Sequence, residues 1–118
     1  MLVEDNEYFA LTFAQLLMAF PGLEVEIIPV GSLAEARARL SEGGLDAALV
    51  DLNLPDGDGI TLISEISGTV PSLPSLAFTG LIEQDTLARA MEAGAAGLLD
   101  KMGSLEEISE AIKSLWDR

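Results

Sequence analysis

Asp51 closes the apolar run Ala47-Ala48-Leu49-Val50 and is followed at once by Leu52-Asn53-Leu54-Pro55-Asp56-Gly57-Asp58-Gly59. A buried strand that ends on a carboxylate and runs into a Pro/Gly turn places an ionised oxygen at the carboxyl edge of a sheet. In open α/β sheets that edge is where ligands bind. Other reactive side chains stand in the same relation to apolar runs. Glu4 and Asp5 follow Met1-Leu2-Val3, Thr79 follows Leu76-Ala77-Phe78, and Lys101 comes just after Leu98-Leu99. Three acids, a hydroxyl and an amine at expected strand ends describe a site for a divalent cation and a transferable phosphoryl group.

Each residue has a defined part in such a site. Three carboxylates in one pocket repel one another, and a hard cation held by carboxylates, a backbone carbonyl and water offsets that repulsion. A carboxylate such as Asp51 can attack a phosphoryl group and form an aspartyl phosphate, while the cation screens the charges that oppose the attack. Asn53 can lend its carbonyl to the metal and its side chain to the phosphoryl pocket. Thr79 can donate its hydroxyl to a phosphoryl oxygen, Gly80 leaves room beside it, and Lys101 can neutralise phosphoryl charge. Taken singly, each has a plainer reading: helix N-caps for Glu4 and Asp5, a loop residue for Asn53, a structural hydroxyl for Thr79 and a solvated surface amine for Lys101. The ordered set carries the argument.

Composition narrows the chemistry. The chain has 118 residues, 49% of them hydrophobic, which is enough for one domain over residues 1–118 and too little for two. It contains no cysteine and no histidine. Thiolate and imidazole metal sites are therefore excluded, as is a phosphohistidine donor role, and any metal would be held by oxygen alone, which favours magnesium, manganese or calcium. A net charge of −14 disfavours nucleic acid and anionic lipid as direct partners. No window approaches the ~18 apolar residues of a membrane span, and no basic flank with an apolar signal core opens the chain. A soluble cytoplasmic protein is expected.

The positioning elements alternate in period. Short apolar runs predict strands near 1–3, 23–30, 46–51, 74–79 and 95–99, with helical spacing between them. Phe9, Phe13, Leu16, Leu17 and Phe20 mark the first helix, Ile60, Ile63 and Ile66 the third, and Ile108, Ile112 and Leu115 the last, in which Trp116 also falls. Ser32 with Glu35 and Ser104 with Glu107 read as capping boxes. Gly22, Gly43-Gly44, Gly68 and Gly94 stand near expected helix ends. Alternating strands and helices imply right-handed crossovers and a parallel sheet covered on both faces. The first strand is unusually short, which leaves a longer native start open.

Two look-alikes fail. An EF-hand loop starting at Asp56 needs Asp or Asn where Ile60 stands. A flavodoxin-type phosphate cradle needs a hydroxyl- or glycine-rich loop after the first strand, where Glu4-Asp5-Asn6-Glu7 presents acid.

With Leu2-Val3-Glu4-Asp5-Asn6, Ala48 to Gly59, Leu76-Ala77-Phe78-Thr79-Gly80 and Gly94 to Lys101 in this order and at these separations, the chain resembles a bacterial response-regulator receiver domain over nearly its whole length. The resemblance implies a flavodoxin-like, doubly wound (βα)5 fold with a five-stranded parallel sheet in the order 2-1-3-4-5. It implies a regulatory phosphoacceptor rather than an enzyme with its own substrate. Asp51 would take a phosphoryl group, with magnesium, from a sensor histidine kinase or a histidine phosphotransfer protein. Asp5, Asp51 and the backbone carbonyl of Asn53 would bind the metal directly and Glu4 through water. Thr79 and Gly80 would meet the phosphoryl group and Lys101 would pair with it. The surface of the fourth helix, fifth strand and fifth helix would change in response, and a homodimer could form there or through the first and fifth helices. An output domain, for example a DNA-binding one, could follow.

Two positions depart from the family pattern. Leu98, three residues before Lys101, stands where a switch aromatic is usual and has no ring through which to report. Leu81, two residues after Thr79, stands where many receivers carry a polar side chain that, with residue 53, tunes dephosphorylation. Slower self-dephosphorylation is expected, so decay of the phosphorylated protein should quicken in Leu81→Glu or Leu81→Asn. Equal or slower decay in those variants contradicts this. Leu98 and the short first strand also motivate an alternative, a receiver-like interaction module whose output is independent of phosphorylation. An oxygen-ligated metal enzyme acting on phosphorylated small molecules lacks a second acid–base group and a substrate anchor.

Overall fold

The computed structural model describes residues 1–80, 82–83 and 85–116, so the expectation for Leu81 lies outside the described residues. Strands β1 (Leu2–Val3), β2 (Pro29–Val30), β3 (Ala48–Asp51), β6 (Ser75–Thr79) and β7 (Gly97–Asp100) form one parallel sheet in the order β2-β1-β3-β6-β7. A small antiparallel hairpin, β4 (Asn53–Leu54) with β5 (Gly57–Asp58), is inserted after β3. With the hairpin set aside, the order is the expected 2-1-3-4-5. Helices α1 (Glu7–Met18), α2 (Leu33–Glu42), α3 (Gly59–Thr69) and α4 (Thr86–Ala93) connect the strands, and α5 (Leu105–Ser114) follows β7. Among the described residues no helix is long and apolar enough to cross a membrane.

Strand residues alternate between two apolar layers. Val3, Ala48, Val50, Ala77 and Leu98 pack with α2, α3 and α4 side chains such as Leu33, Leu62, Ile63, Ile66 and Ala90. Leu2, Leu49, Leu76, Phe78 and Leu99 pack with Phe13, Leu17, Ile108 and Ile112 of α1 and α5. Because both faces are covered, the strands read as continuous apolar runs.

Several boundaries differ from the sequence reading. The run 23–30 yields only Pro29–Val30 as strand, since β1 offers only Leu2 and Val3 as pairing partners. Leu16 is exposed, and the buried stripe of α1 is Ala10, Phe13, Ala14 and Leu17. Leu62 joins Ile63 and Ile66 on the inner face of α3, with Ile60 at its margin. Gly68 lies within the last turn of α3 and Trp116 lies beyond the end of α5. Both expected caps form. Ser32 Oγ accepts from the Glu35 N–H and Ser104 Oγ from the Glu107 N–H, each at 3.1 Å. The Glu35 carboxylate accepts from the N–H of Gly31, one residue beyond the N-cap N–H that the usual reciprocal bond takes.

Candidate functional site

The carboxyl ends of β1, β3, β6 and β7 bring the predicted side chains to one edge of the sheet. Glu4, Asp5 and Asp51 each offer an oxygen within 4.8 Å of the others. Glu4 and Asp51 are buried and Asp5 is exposed, so the cluster opens to solvent on the Asp5 side. Neither Glu4 nor Asp5 caps α1. That task falls to Asn6, whose Oδ1 accepts from the Phe9 N–H at 3.0 Å, which leaves both acids for the site.

Lys101 reaches into this cluster. Its Nζ donates to Asp51 Oδ2 at 2.8 Å and to Glu4 Oε1. Beneath it lie two aromatic rings, with Phe9 5.1 Å and Phe78 5.7 Å from Nζ to centroid. The ring faces attract the ammonium and exclude water from one side of it. Phe9 and Phe78 are functional candidates that periodicity alone assigns to packing. The backbone N–H of Asn53 donates to the other carboxylate oxygen of Asp51, Oδ1, at 3.0 Å. Asp51 is therefore held from two sides.

Glu4, Asp5, Asn6, Phe9, Asp51, Asn53, Gly80 and Lys101 line one cleft. Thr79 is buried at the end of β6, and its carbonyl accepts the Lys101 N–H at 3.0 Å. It lines an adjoining cavity together with Asn53. A Cβ placed on Gly80 would meet Lys101 side-chain carbons at 3.8 and 3.9 Å, an ordinary contact. Leu98 is half-buried, pairs in register with Ala77 and joins the α3/α4 layer.

Gly59, at the first position of α3, is required by its close approach to backbone. A Cβ there would lie 2.1 Å from the Asp51 carbonyl oxygen. The Pro-Asp-Gly-Asp-Gly turn is also more than a connector. Asp56 accepts the Leu33 and Ala34 N–H groups at 2.9 and 3.2 Å, tying the turn to the start of α2. These bonds hold its carboxyl below the usual range.

Burial raises the Glu4 carboxyl to about 7, helped by the neighbouring Asp51 and opposed by Lys101. Burial works against the Lys101 ammonium, but its bonds to Asp51 and Glu4 prevail and raise its pKa. In the unfolded chain Glu4 loses its proton near 4.5, so between 4.5 and about 7 the folded state binds more protons. Metal-free stability therefore falls as pH rises through that window. Glu4→Gln is expected to raise the metal-free melting temperature at pH 8 and to leave it nearly unchanged at pH 4. A lower melting temperature at pH 8 contradicts this reading of the acidic cluster. A metal ligated near Glu4 competes with its proton, so affinity should strengthen as pH rises through 7.

An oxygen-only cluster of two buried acids and one exposed acid fits a hard divalent cation. Asp51 belongs to that cluster and also accepts a bond from the Lys101 amine at 2.8 Å.

Comparisons with known proteins agree with this geometry. A family model described as "Response regulator receiver domain" matches residues 1–113. The DNA-binding transcriptional activator DevR/DosR of Mycobacterium tuberculosis is 35% identical over 97% of this chain and 52% of its own length. The transcriptional regulatory protein UhpA of Escherichia coli is 33% identical over 97% of this chain and 56% of its own length. The chain thus spans about half the length of these relatives. Among solved structures, a LuxR-family two-component response regulator from Aurantimonas sp. superposes with a TM-score of 0.89 at 28% identity, covering 100% of this chain and 84% of the other.

Proposed function

The chain belongs to the response regulator receiver domain family, and from that premise we propose that it accepts a phosphoryl group on Asp51 from a partner phosphohistidine in a magnesium-dependent reaction. The observation that carries the reading is the convergence of Glu4, Asp5 and Asp51 within 4.8 Å, with Lys101 bonded to two of them. Asp5, Asp51 and the Asn53 carbonyl would hold the cation directly and Glu4 through water. Bound there, magnesium would supply charge screening for the incoming phosphoryl oxygens.

The chain's own groups do the rest. An Asp51 carboxylate oxygen forms the new O–P bond as the donor's N–P bond breaks. The donor imidazole keeps that electron pair and takes up a proton, and Asp51 becomes an aspartyl phosphate. The Asn53 N–H keeps the carboxylate oriented for the attack. Lys101 exchanges part of its contact with Asp51 for a phosphoryl oxygen, and the rings of Phe9 and Phe78 limit where its ammonium can go. Thr79, with Gly80, stands beside the group once it is bound. Self-dephosphorylation reverses the outcome: water attacks phosphorus, the Asp51–phosphoryl bond breaks, and inorganic phosphate leaves.

The absence of histidine excludes this chain as the phosphohistidine donor in such an exchange. The partner is accordingly a sensor histidine kinase or a histidine phosphotransfer protein. Two of the similar proteins are DNA-binding or transcriptional regulators by name, which supports a regulatory output beyond the span compared. The acidic charge keeps direct nucleic-acid contact away from this domain. The test is transfer from a histidine phosphotransfer domain labelled on its phosphohistidine. Label should pass to this chain with magnesium and stay on the donor with chelator. Label that stays on every such donor tried with magnesium favours the phosphorylation-independent reading.

A further inference from the structure

Leu98 offers no polar atom and no ring to carry a signal from Asp51 to the outer helices, and the structure contains a different connection. The Asn53 N–H binds Asp51 Oδ1 at 3.0 Å, and Asn53 is paired with Asp58 across the β4–β5 hairpin. Asp58 then does two things. Its Oδ1 accepts the Ile60 N–H at 2.9 Å and caps α3, while its Oδ2 receives Arg89 Nη2 of α4 at 3.1 Å. A short bonded path therefore runs from the Asp51 carboxylate to α4. Next to that path, Asn53, Thr79, Thr86 and Arg89 border a cavity of about 310 Å³ beside the start of α4.

We propose that the Asp58–Arg89 pair is a clasp that holds α4 in its resting position, and that Asp51 is coupled to α4 through the Asn53–Asp58 hairpin. The inference rests on the reading of Asp51 as phosphoacceptor. A phosphoryl group on Asp51 withdraws charge from the oxygen that Asn53 holds and alters the hairpin that presents Asp58. Both clasp side chains are about half exposed, at 52% for Arg89 and 47% for Asp58, so the pair is screened and individually weak. A weak contact is sufficient to bias a near-balanced equilibrium by a few fold. Coupling is reciprocal, so a contact present only in the resting state also opposes phosphorylation.

The test is a double-mutant cycle with Asp58→Asn, Arg89→Gln and the double variant. Asparagine retains an N-cap acceptor for α3, so the first change removes charge and leaves the cap. Each single variant is expected to take up phosphoryl groups from a small-molecule donor about 2–5-fold faster than wild type. The double variant should be no faster than the singles. Hydrogen exchange of the α4 amides, measured without phosphodonor, should quicken in all three variants to a similar degree. Unchanged or additive rates, or unchanged α4 exchange, overturn the clasp. Should the wild type take up no phosphoryl group, the reading of Asp51 fails and the exchange measurement alone decides the clasp.

Discussion

Lys101→Ala is expected to slow phosphoryl uptake at Asp51 by roughly 10²–10³-fold, the usual range when one charge-stabilising donor is removed from a preorganised site. The ammonium bonds Asp51 and Glu4, both buried, and rests over Phe9 and Phe78. Its loss leaves two buried carboxylates facing each other, so the Glu4 proton should be held more tightly still. Lys101→Arg should recover only part of the rate, because a planar fork does not fit where a compact ammonium bridges two acids. The measurement is the initial rate of phosphoryl incorporation at saturating magnesium. A Lys101→Ala rate within threefold of wild type contradicts the role given to this amine.

Gly59→Ala should cost about 1–3 kcal/mol of stability or more, as overpacking of a fixed contact does. The added Cβ would sit 2.1 Å from the Asp51 carbonyl oxygen, 2.9 Å from its carbonyl carbon and 2.9 Å from Leu52 Cα. All three are backbone atoms, so no rotamer change relieves the clash. The strain falls on Asp51, the proposed phosphoacceptor, and phosphoryl uptake should drop with stability. Gly68→Ala is the control. It lies in the same helix with nothing within 4 Å of an added Cβ, and alanine there should be neutral or stabilise by roughly 0.5–1 kcal/mol. Urea unfolding of the three proteins checks both expectations. Equal stability of Gly59→Ala and wild type contradicts the close approach of α3 to β3.

The physical reasons for what could be read from the sequence are specific. Strands buried on both faces appear as unbroken apolar runs, so β3 and β6 were visible and so was the side chain each delivers at its carboxyl end. Glu4, Asp5, Asp51 and Lys101 gain meaning from their shared strand-end position, and the sheet order brings them together. The β4–β5 hairpin escaped notice because its strands have two residues each, too few for any alternation to register. The length of β2 depends on what β1 can pair with, which is not a property of residues 23–30. Phe9 and Phe78 carry ordinary core periodicity, and only the path of the Lys101 side chain makes them part of the site. The bonds of Asp56 to Leu33 and Ala34 and of Asp58 to Arg89 span 22 to 31 positions, which no local pattern encodes.

Intact mass after incubation with a small-molecule phosphodonor decides whether Asp51 accepts a phosphoryl group in a magnesium-dependent reaction. Wild type with magnesium should gain the mass of one phosphoryl group, and the gain should vanish in Asp51→Ala and with chelator. No gain in the wild type, or an equal gain in Asp51→Ala, contradicts the account.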